Sequence, residues 1–327
     1  MVKRFTLAIA IAIILSVLGV ARAEQAPGRF RIGILVPELG PSESQTVKGL
    51  RDRLKELGYK EGESIQLEMR DVKGDRGALT LAAMDLVSRN VNVIFTTGTR
   101  AAQAAKNATK KIPVVFSHDA DPVDLGLIKS MKQPGGNLTG VAGLSLQMTE
   151  KRLEILKEIF PNLRRLHIFY DPNNIVSQRN FAFVQKAAAA GGLIVVEHTI
   201  KTTEELKTAI AGLYKGEGDA LLHVPDSLVE SQVDFVFDAL RQKGLPSMTY
   251  EEIGVVKGAL AGYGVNDYEM GRQAAQLVDR ILKGTNPKNL PVEPGRKFDL
   301  VINLRTASVI GVTIPPPVLK KAGRIIR

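Results

Sequence analysis

Repeatedly along this chain, a short run of β-branched and apolar residues is followed by a longer segment whose apolar residues recur at helical spacing. Parallel strands need a crossover of helix length, so this alternation specifies parallel α/β units and argues against a bundle or a sandwich. In the first half it predicts strands over 31–36, 65–70, 91–96 and 113–117, with helices over 43–57, 76–89 and 100–108. Strands over 166–170, 193–198 and 220–224 follow, each leading into a helix, over 175–190, 204–214 and 228–243. A last strand over 260–265 precedes a helix over 267–282.

Local signals fix the ends of these segments. Ser42 with Gln45 fits a capping box for the first helix, Val47, Leu50, Leu54 and Leu57 form its apolar stripe, and Gly58 stops it. Thr202 with Glu205, and Ser227 with Glu230, fit further capping boxes, and Asn266 is the expected cap of the helix over 267–282. At 327 residues the chain is long enough for about two domains. The expected fold class is therefore α/β, with two doubly wound parallel-sheet lobes in series. The first takes residues 30–142, with about 257–285 crossing back to it; the second takes 143–256 and part of 286–327, the two being joined around Gly140–Ser145.

The amino terminus reads as an export signal. Lys3-Arg4 precedes a charge-free run from Phe5 to Ala21, and Ala21-Arg22-Ala23 is a small-x-small cleavage site, so residues 1–23 are expected to be removed. Removal takes away Lys3, Arg4 and Arg22 and no acid, lowering the formal net charge from +10 to +7. Part of that excess is a tail cluster at Lys320, Lys321, Arg324 and Arg327, so the basic balance does not indicate nucleic-acid binding. The chain has no cysteine, which excludes disulfides, thiol catalysis and cysteine zinc sites.

Catalytic patterns fail on spacing. Gly262-Tyr263-Gly264 lacks the third glycine of a dinucleotide loop, Gly143-Leu144-Ser145-Leu146-Gln147 ends in glutamine where a nucleophile elbow needs glycine, and His118, His167, His198 and His223 stand singly. The expectation is no enzyme, no cofactor and no metal. Binding chemistry instead gathers at the predicted carboxyl ends of strands, where open α/β sheets hold ligands against bare helix N–H groups. Candidate ligand-binding residues there are Ser42, then Thr97 and Thr99 around Gly98, then Ser117 and Asp121; from the second half come Asn173, Asp226, Tyr250 and Glu251. A ligand carboxylate is expected at the helix beginning near Arg100, with Asp121 and Glu251 as acceptors for an ammonium.

Several stretches resemble one family throughout the mature chain, in order: Gly58-Tyr59-Lys60-Glu61-Gly62, Asp121-Pro122-Val123, Pro134-Gly135-Gly136-Asn137, Ile281-Leu282-Lys283-Gly284, Leu290-Pro291-Val292-Glu293, Asn303-Leu304-Arg305-Thr306 and Gly311-Val312-Thr313-Ile314-Pro315. The chain is similar to the substrate-binding proteins of ABC transporters with the type I periplasmic-binding fold, in the group typified by tryptophan- and other aromatic-amino-acid-binding members. It departs at Ala322-Gly323-Arg324, where members tend to carry an acid after the alanine. The resemblance implies two lobes joined by a multi-strand hinge. It further implies a small-molecule ligand, above all an amino acid, delivery to an ABC permease and its ATPase, and a periplasmic monomer. The competing readings are a ligand-sensing periplasmic protein of a signalling pathway, an exported hydrolase using Ser145 or the Asp119 and Asp121 pair, and a transcriptional regulator. A regulator would need a helix-turn-helix where the export signal stands.

The expected mature protein begins at Glu24. Intact-mass measurement on the exported protein checks this, and retention of Met1 would contradict it.

Overall fold

The computed structural model describes residues 29–327 except 76, 119, 214, 215, 217 and 218. The leader at 1–23 and Asp119 lie outside the described residues, as do the side chains of Ser42 and Ser145. The chain opens with β1 (Phe30–Val36), α1 (Pro41–Glu56), β2 (Ile65–Asp71), α2 (Ala78–Ser88), β3 (Val93–Thr97), α3 (Gly98–Ala108), β4 (Val114–His118) and β5 (Leu138–Ala142). After a 3-10 turn come α4 (Thr149–Ile159), β6 (Arg165–Tyr170), α5 (Ile175–Ala190), β7 (Ile194–Thr199), α6 (Thr203–Ala211), β8 (Asp219–Leu222), α7 (Ser227–Glu230), α8 (Val233–Gln242), β9 (Ser247–Thr249), α9 (Glu252–Val256) and β10 (Ala261–Val265). The chain closes with α10 (Asp267–Leu282), β11 (Glu293–Pro294), β12 (Phe298–Asn303), α11 (Leu304–Ile310), α12 (Pro316–Lys321) and β13 (Arg324–Ile326).

Two sheets result, ordered β11-β5-β4-β3-β1-β2 and β13-β12-β10-β9-β8-β6-β7. The runs of β3 and β4 are buried at every position, polar ends included, because helices cover both faces of the first sheet. Alternate residues divide between the faces: Ile32, Ile34 and Val36 pack with α1 and α10, whereas Leu35, Ile94 and Phe116 pack with α2 and α3. The second sheet is sandwiched likewise, by α4, α5 and α11 on one side and α6 and α8 on the other.

Several expectations change in detail. Gly40 precedes the first helical residue of α1 and Pro41 occupies N1, so Ser42 lies inside the first turn and is not its cap. Proline suits that place because its fixed φ is helical and it has no N–H to satisfy. The helix expected over 228–243 is broken into α7 and α8. Asp226, not Ser227, caps α7, accepting from Leu228 N at 2.9 Å and Val229 N at 3.1 Å. Thr202 and Asn266 do accept from the N–H groups of Glu205 and Glu269, at 3.1 and 2.9 Å.

The segment 257–285 does not cross to the first lobe as a whole. Strand β10 pairs with β9 and, antiparallel, with β12 in the second sheet; only α10 lies on the first. The chain therefore passes between lobes after β5, between β10 and α10, and between β11 and β12. The first passage contains Leu144, a non-glycine residue at φ 51°. The others are tied together: Asn266 N–H donates to Lys297 O at 2.9 Å, and Arg296 N–H to Gln273 Oε1 at 2.9 Å.

Helix α10 is held against α1 by an unusually close crossing. A Cβ placed on Gly49 would strike the carbonyl of Tyr268, and one on Gly271 would strike the carbonyl of Thr46. Around this contact Tyr268 donates to Asp52 at 2.9 Å and Arg272 reaches Glu56 at 2.7 and 2.9 Å. Gly49→Ala or Gly271→Ala is expected to destabilise the protein by about 1–3 kcal/mol, the usual cost of overpacking. Urea unfolding checks this; an unchanged midpoint for both variants would contradict it.

Candidate ligand-binding site

Strand β3 runs directly into α3 through one residue, Gly98, whose φ of 73° is the left-handed conformation that lets the chain turn without an intervening loop. The first N–H groups of α3 have no acceptor within the helix and carry partial positive charge. Thr97 stands at the cap position, yet its side chain makes no capping bond. It is only 3% exposed, and its Oγ1 has no hydrogen-bond partner among the described residues. Thr99 follows in the first turn, half-buried. The neighbouring strand β4 ends in buried Ser117 and His118, and the His118 ring stacks on Phe116 at 4.8 Å. Burial pushes the His118 imidazole down to about 4, against the Ala120 backbone and the Asp121 charge, so the ring is neutral at physiological pH.

The second lobe presents the ends of β8 and β9. His223 Nδ1 lies 3.1 Å from Thr249 Oγ1, its Nε2 has no hydrogen-bond partner among the described residues, and burial pushes it down to about 4. Tyr250, 5% exposed, donates its hydroxyl to Glu230 Oε1 at 2.6 Å. Glu230 keeps accessible surface within the cleft, yet the protein around it desolvates its carboxyl and pushes it up. Behind Tyr250 the buried Arg152 guanidinium lies 6.0 Å from the ring and donates to Tyr263 O at 2.7 Å. Asp226 is 2% exposed; besides capping α7 it accepts from Asp171 N at 2.9 Å and Ser177 Oγ at 2.6 Å.

These strand ends face one another across a cleft of about 690 Å³. Of the residues expected at the site, Thr97, Thr99, Ser117, Asp226, Tyr250 and Glu251 line it. Asp121 does not. Its carboxylate accepts from Val123 N at 2.8 Å and Asp124 N at 3.3 Å, which makes it a turn residue. Asn173 is exposed on a turn and the next residue, Asn174, lines the cleft in its place. Asp226 borders the cleft, but its oxygens are already engaged by four protein donors.

Sequence reasoning missed Glu43, His223 and Glu230 as site residues. Glu230 carried a signal that pointed elsewhere, since it completes a capping-box pattern. His223 ends a predicted strand like the other candidates, and only its solitary spacing set it aside.

The model for the family described as ABC transporter substrate binding protein matches residues 31–326. The chain belongs to that family. Among curated proteins it is similar to the tyrosine-binding protein of Clostridioides difficile, 31% identical over 271 residues, which span 83% of this chain and 77% of that protein. Among solved structures it is similar to a conserved domain protein from Vibrio cholerae, with TM-score 0.82 and 31% identity over 90% of this chain and 99% of the other. It also resembles the ABC domain in complex with L-Trp from Streptococcus pneumoniae, with TM-score 0.80, 26% identity, and coverage of 91% and 100%. The two lobes are thus those of a type I periplasmic-binding fold, and this substrate-binding protein takes a small-molecule ligand as a component of an ABC transporter. No helix among the described residues is long and apolar enough to cross a membrane.

The neutral histidines make stability pH-dependent with a definite sign. His118 titrates near 6.5 when unfolded and near 4 when folded, so below pH 6.5 the unfolded chain binds a proton that the fold refuses. Its contribution is lost as the pH falls. Between pH 7 and 5 the wild type is expected to lose about 2 kcal/mol that a His118→Phe variant retains, by linkage. Urea unfolding at both pH values checks this, and equal losses would contradict it.

Proposed function

We propose that this substrate-binding protein captures an amino acid between its lobes and delivers it to an ABC import permease. It does so as a periplasmic monomer freed of residues 1–23, and it binds without catalysing a reaction. The observation that carries the reading is the buried, unpartnered hydroxyl of Thr97, placed where the first N–H groups of α3 open on the cleft. A buried hydroxyl without a partner is costly, and a carboxylate bound at a helix N-terminus supplies the missing acceptor together with the charge the helix favours. Thr99 and Ser117 lie beside it as further donors. The opposite lobe offers Glu251 and the Tyr250–Glu230 pair to an ammonium group.

A dipolar ligand spanning the two lobes gains its full set of bonds only when they come together, which is the differential affinity that drives closure. The tyrosine-binding relative and the L-Trp complex of a similar structure support an amino acid as the ligand class.

Thr99→Ala is expected to weaken amino-acid binding at least tenfold, about 1.4 kcal/mol, as loss of a charge-assisted hydrogen bond. Calorimetric titration of refolded mature protein measures it. Unchanged affinity alongside a lowered melting temperature would leave Thr99 with a structural role only.

A further inference from the structure

The cleft is more negative than the α-ammonium of one amino acid can offset. Among the described residues that line it are seven carboxylates and one guanidinium, that of Arg100. Some of the acids have structural duties: Asp226 is engaged as above, and Asp75 accepts from Gly77 N and Ala78 N at 2.8 and 3.3 Å. Glu38 and Glu43, on the first lobe, and Glu230, on the second, are different. Glu230 accepts from the Tyr250 hydroxyl at 2.6 Å, and Glu38 is exposed at the cleft wall.

The charges of Glu38 and Glu230 both reach Glu43. Burial comes first in pushing the Glu43 carboxyl up, and the charges of Glu38, on its own lobe, and Glu230, across the cleft, add to it. On Glu230 burial comes first, opposed by the Tyr250 hydrogen bond; the Asp226 charge adds to burial and Arg100 opposes it. Lobe closure shortens the distance between Glu43 and Glu230 and removes water between them, so the repulsion rises unless the ligand brings positive charge. The two imidazoles that line the cleft, at His118 and His223, are held neutral and cannot supply it.

The lining also lacks what a large flat ring needs. Among the described lining residues Tyr250 is the only Phe, Trp or Tyr, and it is nearly buried with its hydroxyl fixed on Glu230. That this cleft is a binding site rather than an acidic hollow is indicated separately by Thr97 Oγ1 and His223 Nε2, both buried, both lining it and both without a hydrogen-bond partner among the described residues.

Resting on the amino-acid reading above, we infer that the ligand is a basic amino acid. Its side-chain ammonium or guanidinium sits among Glu38, Glu43 and Glu230, and its α-carboxylate sits at α3. Selectivity then comes from those three acids, two on one lobe and one on the other, so the second charge itself favours the closed form.

The test is calorimetric titration of refolded mature protein with L-lysine, L-arginine, L-tyrosine, L-tryptophan and 1,5-diaminopentane. L-lysine or L-arginine is expected to bind at least tenfold more tightly than either aromatic amino acid. Glu43→Gln and Glu230→Gln should each reduce that ratio at least fivefold. Should a variant fail to fold by circular dichroism, the wild type alone decides: affinity for the basic amino acid should fall at least threefold between 50 and 500 mM NaCl. Salt-independent binding would overturn the inference. Tighter binding of tyrosine or tryptophan would overturn it and leave the amino-acid reading standing. Diaminopentane binding as tightly as lysine would keep the cation seat but overturn the carboxylate seat, and with it the amino-acid reading. Absence of binding by every probe would overturn both.

Discussion

The close crossing of α1 and α10 at Gly49 and Gly271 is the contact on which the rest of the arrangement depends. Helix α10 follows a strand of the second sheet, yet its apolar face, including Met270, Leu277 and Val278, packs into the core of the first lobe. Because backbone meets backbone at the glycines, the helix has little room to slide, and its amino end stays close to the passage where Asn266 binds Lys297 and Asp299. The lobes are thereby set with the carboxyl ends of both sheets facing, and the cleft follows from that.

Within the cleft, desolvation and charge act together. Protein around Glu43 and Glu230 raises the cost of their charged forms, while the same burial keeps His118 and His223 from charging at all. Unsatisfied polar groups in a native protein call for an explanation, and such groups line this cleft, Thr97 Oγ1 on one wall and His223 Nε2 on the other. Asn303, buried in the second lobe, shows the opposite case: it caps α11 and also binds the Val255 carbonyl.

How much of this is legible in the sequence depends on the range of each interaction. The strands β1, β3 and β4, and the caps at Thr202 and Asn266, are written within a few residues and could be read directly. Helix α4 is hard to delimit from sequence: Leu153, Leu156 and Ile159 form a buried stripe, but no side-chain cap marks where it starts. Strand β12 escaped because its antiparallel partner β10 lies across a helix and another strand in sequence. At the site, Thr97, Thr99 and Ser117 were legible since a strand end is a local feature. The approach of Glu43 to Glu230 was not, because it exists only once two lobes have formed and faced each other. Asp121 and Asn173 misled for the opposite reason: Asp-Pro and Asn-rich turns look the same whether or not a ligand lies nearby.

The three passages between lobes also bear on how the protein can be made. The first sheet is completed by β11, whose Glu293 and Pro294 pair with Val141 and Ala142, and one of its two helical covers by α10. A nascent chain that has emerged only as far as β5 thus has four consecutive parallel pairings available, yet leaves the α1 face of that sheet half bare, with Val47 and Leu50 short of their partners. Neither lobe is a finished folding unit until nearly the whole chain exists. Sequence-distant closures of this kind are slow, and they leave apolar surface open to wrong partners for longer than a domain made of one continuous segment would.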